Sequence, residues 1–316
     1  MQRLLIYVTA ILTLGCATTQ AAPLNAPGGL VVYIGAEALE SLSSDWEKPG
    51  TVFHCLETSA ADVSRLREKI QAAGSYGLVS VSQFDGQHLP YIDNLVNLLV
   101  VGSGHEVPDS ELQRVLAPYG TLLVNGKTTT KPYPAEMDEW PQYLHGADNN
   151  CVAQDTAVGP PRHVQWISGP AWTRSHMGAA SITSMITSHG RLFTIEDTST
   201  SENPFLPAKW KLIARSAFNG IQLWSMDYPN WEPVTIRIKD YHTQMKRRLL
   251  AVGEILYCTP GLDAPVTALD GASGKVLRTF SGTEGTQEFA HHEGLLYLVV
   301  GDRMFFNAYN TGAIEK

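Results

Sequence analysis

The sequence predicts an α/β domain with a parallel sheet, followed by a domain of antiparallel strands. Two observations predict this division. In the first half, nearly continuous apolar runs of strand length alternate with helical segments, whereas short strands and turns follow after residue 140. The chain has 316 residues, of which 44% are apolar and 17% charged, and this is enough for two hydrophobic cores.

Residues 1–22 have the pattern of a secretory signal peptide. Arg3 precedes an apolar stretch, Leu4–Leu14, and a region of small residues in which we expect cleavage after Ala21. The apolar stretch is too short to span a bilayer. We therefore expect an exported protein, in the periplasm or cell envelope, with no transmembrane helix once the signal is removed. An alternative makes Cys16 a lipid-modified cysteine, although Thr13 stands where that pattern prefers leucine.

Net charge and cysteine spacing argue against two classes of function. The formal net charge is -8, and the only basic cluster is Lys246–Arg248, so we expect no nucleic-acid partner. Without the leader the cysteines are Cys55, Cys151 and Cys258, with no CxxC spacing. They predict neither a zinc site nor a redox pair. We expect three buried free thiols.

The first half is predicted to contain five strands and two helices. Strands separated by helices imply a parallel sheet with right-handed crossovers, so residues 23–126 should form a Rossmann-like domain. The first helix, Ser59–Gly74, places Val63, Leu66 and Ile70 at helical spacing, and the second is Asp109–Gly120. The predicted strands are LVVYIG ending at Gly35, TVFHCLE ending at Glu57, GLVSVSQFD ending at Asp85, LVNLLVVG ending at Gly102 and GTLLVNG ending at Gly126.

These elements resemble class I S-adenosylmethionine-dependent methyltransferases over about residues 29–126. The most specific part is Arg114–Gly120, RVLAPYG, which is similar to the helix and turn that lead into the fifth strand of that family. The resemblance implies a glycine-containing cofactor loop, which begins here at Gly35. It also implies that an acid after the second strand grips the ribose hydroxyls and that an acid after the third approaches the adenine. The matching residues are Glu57 and Asp85.

The loop after the first strand departs from the pattern of that family. Where the family usually has an acid and three glycines, this chain has Tyr33, Gly35, Glu37 and Leu39. Glu37 places a carboxylate where the carboxylate of the methionyl group would lie, and like charges repel. We expect a preserved scaffold with a disabled loop and no bound cofactor. Gly102–His105 follows the fourth strand, where substrate loops lie in the family, and we expect a flexible connection there.

Residues 127–140 are predicted to be a Pro-rich linker, and a repeat follows it. Tyr257 and Tyr297 are 40 residues apart, and Gly274 and Gly312 are 38 apart. A period near 40 residues with strand and turn content is typical of propeller blades. The first blade has an insertion at Asp197–Trp210. The aligned segments are HGRLFTI (189–195), GEILYCT (253–259) and EGLLYLV (293–299).

The motif Ala-x-Asp-x-x-x-Gly, as in Ala268–Gly274, resembles the repeats of pyrroloquinoline-quinone-type propellers. These include quinoprotein alcohol dehydrogenases and an outer-membrane-assembly lipoprotein, and Glu139–Asn150 is similar to the segment that enters their first blade. A methyltransferase-like segment followed by a propeller-like segment resembles a large exported family of planctomycete-type bacteria with no settled activity. Quinone chemistry would need a calcium cage, for which Asp263, Asp270 and Asp302 are candidates only by residue type. His291–Glu293 lacks the order of a metal motif, and we expect no metal.

Residues 141–316 should form an incomplete PQQ-like β-propeller of about three to four blades, because a closed ring needs about 4–8 blades. We expect a piece of a longer protein with an exposed strand edge at Phe305–Lys316. The sequence favours an exported, non-catalytic binding or scaffold protein whose partner is a protein or a glycan of the cell envelope. Two alternatives remain open: an S-adenosylmethionine-dependent methyltransferase and a PQQ-dependent dehydrogenase with calcium.

Overall fold

The computed structural model describes residues 28–36, 48–160, 164–171, 181–201, 203, 206–229, 231 and 245–301. The predicted signal peptide and the predicted edge Phe305–Lys316 lie outside these ranges. None of the described helices is both long enough and apolar enough to cross a membrane.

The first half contains the predicted parallel sheet. Its six strands lie in the order β3-β2-β1-β4-β5-β6, and the first five of this order are parallel. The chain moves outward from β1 to β3 and then returns to place β4 on the other side of β1, as in a Rossmann-like fold. The strands are β1 (Gly29–Ile34), β2 (Thr51–Glu57), β3 (Val79–Gln83), β4 (Val96–Val101), β5 (Leu116–Val124) and β6 (Lys127–Thr130).

Helix α1 (Ala60–Ala72) covers one face of this sheet, as its apolar spacing predicts. The hydroxyl of Ser59 caps it by accepting a hydrogen bond from the amide of Asp62 at 3.2 Å. Val63, Leu66 and Ile70 are buried in the core between the helix and the sheet. The prediction for this helix is confirmed, including its buried face.

Helix α2 (Asp109–Val115) ends three residues before Pro118, the first residue of the predicted stop Pro118–Gly120. Leu116 already has the extended dihedral angles φ -69° and ψ 128°, and the strand β5 begins there. A residue before proline disfavours the helical region, and Pro118 follows closely. The predicted short helix is therefore present, but it ends two residues before Ala117, the last residue ahead of the predicted stop.

The predicted linker 127–140 begins with a strand. Strand β6 pairs with β5 in an antiparallel hairpin in which Val124 lies opposite Lys127. Asn125 and Gly126 form the two-residue loop with φ 50° and 75°, which is the geometry that Asn-Gly favours in hairpins. The Asn-Gly pair and the three threonines after it are the signals that could have predicted β6.

The second half consists of antiparallel sheets. Two four-stranded sheets have the orders β10-β9-β8-β7 and β11-β12-β13-β14, and a hairpin pairs β15 with β16. The three segments that align in the sequence each overlap the second strand of one antiparallel sheet: β8, β12 and β16. The strands are β7 (Ile182–Ser188), β8 (Arg191–Asp197), β9 (Trp210–Ser216), β10 (Gln222–Asp227), β11 (Leu249–Val252), β12 (Ile255–Cys258), β13 (Thr267–Asp270), β14 (Val276–Thr279), β15 (Thr286–His292) and β16 (Leu295–Val300). The number of blades in a propeller stays a prediction.

A short segment, Trp140–Gln142, forms hydrogen bonds with the first strand of each antiparallel sheet, namely β7, β11 and β15. The amide of Thr187 on β7 donates to the carbonyl of Trp140 at 2.9 Å, and an amide of β11 donates to the carbonyl of Pro141 at 2.8 Å. The side-chain oxygen of Gln142 accepts from the amide of His291 on β15 at 3.0 Å. This segment satisfies backbone groups on the edge strands β7, β11 and β15 that would otherwise lack partners.

The second half packs against the edge of the parallel sheet where its strands begin. Gly50 precedes β2, and a Cβ added there would lie 2.2 Å from the carbonyl oxygen of Leu223. Near the start of β5, the ring of Tyr119 stacks on that of His189, with 3.8 Å between the ring centroids. The opposite edge, where the parallel strands end, carries the predicted site residues.

Candidate functional site

The predicted site residues follow the ends of neighbouring parallel strands. Gly35 follows β1, Glu57 ends β2, and Asp85 lies two residues after β3. The strand order reverses between β1 and β4. In open α/β sheets, ligands bind in the crevice beside such a reversal. The topology therefore places all three residues at the edge where a ligand is expected.

Glu57 is a buried carboxylate with one oxygen held in place. It is only 6% exposed. Its Oε1 accepts from the amide of Thr58 at 2.7 Å, from the hydroxyl of Thr58 at 3.2 Å and from the amide of Ser59 at 3.4 Å. Both residues immediately precede α1, where the helix leaves unpaired N–H groups and favours negative charge. The fold thus fixes the orientation of the carboxylate.

The second oxygen of Glu57 makes no hydrogen bond with the described residues. Its nearest charged or titratable neighbour there is His105, whose Nε2 lies 3.9 Å from Oε2. The side chains of His105 and Glu57 are 18% and 8% exposed. An ionised carboxylate oxygen accepts hydrogen bonds, so this atom is suited to accept one from a ligand.

His105 is the functional candidate that the sequence analysis missed. We predicted a flexible connection for Gly102–His105, but the amide of Gly102 donates to the carbonyl of Ile34 at 2.7 Å and fixes the start of that loop against β1. Gly104 has φ +77°, a conformation that favours glycine, and the loop then brings His105 to Glu57. The signal available in the sequence was a histidine between the fourth strand and α2, at the same sheet edge as Glu57.

The carboxylate of Asp85 accepts hydrogen bonds from residues of its own loop. Its Oδ1 accepts from the amides of Gln87 and His88, each at 2.7 Å, and its Oδ2 lies 2.8 Å from Nδ1 of His88. These hydrogen bonds, above all that from the His88 amide, lower the pKa of Asp85 to about 2. Its side chain is 57% exposed. Asp85 therefore shapes the loop after β3, and its role toward a ligand stays a prediction.

The amide and the carbonyl of Gly35 both form hydrogen bonds with residues of β2. Its amide donates to the carbonyl of Leu56 at 2.9 Å, and its carbonyl accepts from Sγ of Cys55 at 3.2 Å. Its φ of +121° is one that residues with a side chain rarely adopt. Glu37 and Leu39, at the other two glycine positions of the family pattern, lie outside the described residues. The structure thus describes the first turn of the loop alone.

The other candidates do not assemble into a site. Asp270 accepts hydrogen bonds from the amide and hydroxyl of Ser273, as expected for a turn. Asp302 lies outside the described residues, which contain no group of three or more His, Cys, Asp or Glu arranged for a metal. Of the three predicted buried thiols, Cys55 and Cys258 are buried and Cys151 is exposed. The prediction for Cys151 is wrong, because it lies in an irregular segment rather than on a strand.

Among known proteins, matches to this chain were found only among solved structures. No protein-family model matches the chain, and no curated protein matches its sequence. A putative S-adenosyl-L-methionine-dependent methyltransferase from Methanococcus maripaludis is 22% identical over 30% of this chain and 46% of its own, with a TM-score of 0.27. A SAM-dependent methyltransferase from Aquifex aeolicus is 22% identical over 30% and 54%, with a TM-score of 0.27. Geranyl diphosphate C-methyltransferase from Streptomyces coelicolor A3(2) is 17% identical over 30% and 37%, with a TM-score of 0.28.

This chain spans 46%, 54% and 37% of the lengths of those three structures. The Rossmann-like assignment rests on the order and direction of the strands described above.

Proposed function

We propose that the chain is a binding protein whose parallel sheet holds a small ligand with hydroxyl groups, of the nucleoside class. S-adenosylmethionine and adenosine are the first members of that class to test. The observation that carries the proposal is Oε2 of Glu57, which lies at the edge where the parallel strands end and makes no hydrogen bond with the described residues. A ligand hydroxyl that donates to this oxygen would supply the missing partner.

The position of Glu57 supports a ribose rather than a cation as the partner. One carboxylate oxygen is already bound to N–H groups at the start of α1, so a single oxygen remains for a ligand. A divalent cation in a protein usually has several carboxylate or carbonyl ligands, and the described residues bring no second carboxylate to Glu57 in a metal-like group. One acceptor oxygen is sufficient for a sugar hydroxyl.

Binding without catalysis is the role we assign to the whole chain. The departure of the first loop from the methyltransferase pattern, with Glu37 and Leu39 in place of glycines, supports this role. We propose an envelope location and a protein or glycan partner for the antiparallel sheets. Affinity capture from envelope extracts, with turnover measured alongside, tests that part of the proposal.

Titration calorimetry with S-adenosylmethionine and with adenosine tests the ligand class. We expect saturable binding of at least one ligand, weakened about 10- to 100-fold by Glu57→Gln, which keeps the acceptor for the Thr58 amide but loses the charged Oε2. Glu68→Gln, on the exposed side of α1, is the matched control and should bind like the wild type. No heat at millimolar concentrations of both ligands would refute the proposal. Transfer of a labelled methyl group to an extract component would favour methyl transfer over binding alone.

A further inference from the structure

An Asn-Gly pair, Asn125 and Gly126, lies at an exposed turn of the fold. The two residues form the loop between β5 and β6, and both are exposed. The side chain of Asn125 makes no hydrogen bond with the described residues. Nothing in the described part of the chain therefore holds this side chain away from the backbone nitrogen of Gly126.

An Asn-Gly pair can react with itself, with water as the only other reactant. The backbone nitrogen of the glycine attacks the side-chain carbonyl carbon of the asparagine, loses its proton and expels the side-chain amide as ammonia, which leaves a cyclic succinimide. Water then opens the ring at either carbonyl and gives aspartate or isoaspartate. In isoaspartate the main chain runs through the side-chain carbon. Glycine favours the attack because it has no Cβ to shield its nitrogen.

The other Asn-Gly pair of the chain, Asn219 and Gly220, is held by hydrogen bonds. Nδ2 of Asn219 donates to Oδ1 of Asn97 at 2.6 Å and to the carbonyl of Leu95 at 2.8 Å. Its Oδ1 accepts from the amide of Ile221 at 3.2 Å. These bonds must break before the side chain can react, and such local opening costs free energy. The chain thus contains a protected pair with which the exposed pair can be compared.

Isoaspartate at position 125 would be incompatible with the hairpin. Val124 lies opposite Lys127, so the loop has only two residues, and their backbone matches the twist of the strands. Isoaspartate adds a carbon atom to the main chain of this loop, which therefore cannot keep the same register. All four residues of β6 are exposed, so few side-chain contacts oppose the separation of β6 from β5. Separation would expose the outer edge of β5.

We propose that Asn125 deamidates spontaneously in the folded chain and that the isoaspartyl product releases β6 from the parallel sheet. The change stays local, because Nζ of Lys131, directly after β6, donates to the carbonyls of Gln113 and Leu116, each at 2.7 Å. Strand β5 ends at the same edge of the sheet as the strand that carries Glu57. Deamidation therefore adds a negative charge to this edge as the protein ages.

Peptide mapping by mass spectrometry, after incubation in mildly alkaline buffer, tests the reaction. We expect Asn125 to deamidate about 100-fold faster than Asn219, whose three hydrogen bonds must first break. In urea, where neither pair is held by the fold, the two rates should converge. Asn97→Ala removes one bond to Asn219 and should accelerate deamidation there about 5-fold, with no change at Asn125. Equal rates at the two asparagines of the folded chain would refute the proposal.

Hydrogen exchange of the chromatographically separated isoaspartyl form tests the release of β6. We expect amide protection to be lost at Lys127–Thr130 and to persist in α1. Asn125→Gly cannot deamidate and supplies a Gly-Gly loop that also suits the hairpin, so β6 should stay protected after the same incubation. Asn125→Asp has the charge without the extra carbon and should be protected when fresh. Equal protection of β6 in the isoaspartyl form and in Asn125→Gly, or an unprotected β6 before incubation, would overturn the inference.

Discussion

Two asparagines join the parallel sheet to the first antiparallel sheet, and their removal should uncouple the two. Nδ2 of Asn219 donates to Oδ1 of Asn97 at 2.6 Å and to the carbonyl of Leu95 at 2.8 Å. Oδ1 of Asn97 also accepts from the amide of Leu30 at 2.9 Å. Asn97 and Leu95 lie at the start of β4, and Asn219 lies in the turn between β9 and β10. The prediction concerns Asn97→Ala, Asn219→Ala and the double variant.

The expected magnitudes follow from the hydrogen bonds that each change removes. Each variant removes three hydrogen bonds, because Nδ2 of Asn97 also donates to Oγ of Ser216 at 3.4 Å and Oδ1 of Asn219 also accepts from the amide of Ile221 at 3.2 Å. A net contribution of about 1 kcal/mol for each bond gives a loss of about 3 kcal/mol for either single variant. Both variants remove the same bond between Asn97 and Asn219, so the double variant should lose about 1 kcal/mol less than the sum. Gln222→Ala, on the neighbouring exposed strand β10, is the control and should change stability by less than about 0.5 kcal/mol.

Urea unfolding with two probes measures both the stability and the coupling. The described α-helices lie in the first half, so far-UV circular dichroism at 222 nm mainly follows that half. All variants carry Trp46→Phe, so that tryptophan fluorescence follows the second half, where all the described tryptophans lie. We expect coincident transitions in the wild type and separated transitions in the double variant. Additive single effects, or coincident transitions in all variants, would refute the role of this contact. The described tryptophans are Trp140, Trp166, Trp210, Trp224 and Trp231.

Two further predictions concern a glycine and a carboxylate in the first half. Gly50→Ala should destabilise the chain by about 2 kcal/mol more than Gly74→Ala in urea unfolding. Both glycines have positive φ, but only a Cβ at Gly50 would clash with a carbonyl oxygen, that of Leu223 at 2.2 Å. The hydrogen bond from Arg114 lowers the pKa of Glu111 to about 2, below its unfolded value near 4.3. Its contribution to stability should therefore be complete above about pH 5 and be lost as the pH falls through about 2, so melts of the wild type and Glu111→Gln should converge at about pH 1. A gap as large at pH 2 as at pH 5 would contradict this pKa.

Strands with continuous apolar runs and a helix with a marked cap could be predicted from the sequence. The bounds of β2, Thr51–Glu57, agree with prediction because a strand buried on both faces requires an uninterrupted apolar run that ends at a polar residue. Helix α1 agrees because Ser59 and the buried spacing of Val63, Leu66 and Ile70 fix its start and its face. In both elements the local pattern and the tertiary contacts favour the same structure.

Features that depend on contacts between distant segments could not be predicted in the same way. The proximity of His105 to Glu57 depends on the path of a loop across β1, for which spacing in the sequence gives no measure. The exposure of Cys151 depends on the course of an irregular segment, because the residue type alone favours burial. Strand β6 differs, since its signal was local: Asn125 and Gly126 predict a hairpin whether or not a linker follows.

The two edges of the parallel sheet have different roles, and this follows from strand direction. All five parallel strands begin at the edge that contacts the second half, through Gly50 and Asn97, and end at the edge that carries Glu57. The seven residues of β2 span about 20 Å between these edges. A ligand at Glu57 therefore does not compete for space with the contact between the two halves. A partner bound by the antiparallel sheets would leave the crevice open, so the binding of the two can be measured independently.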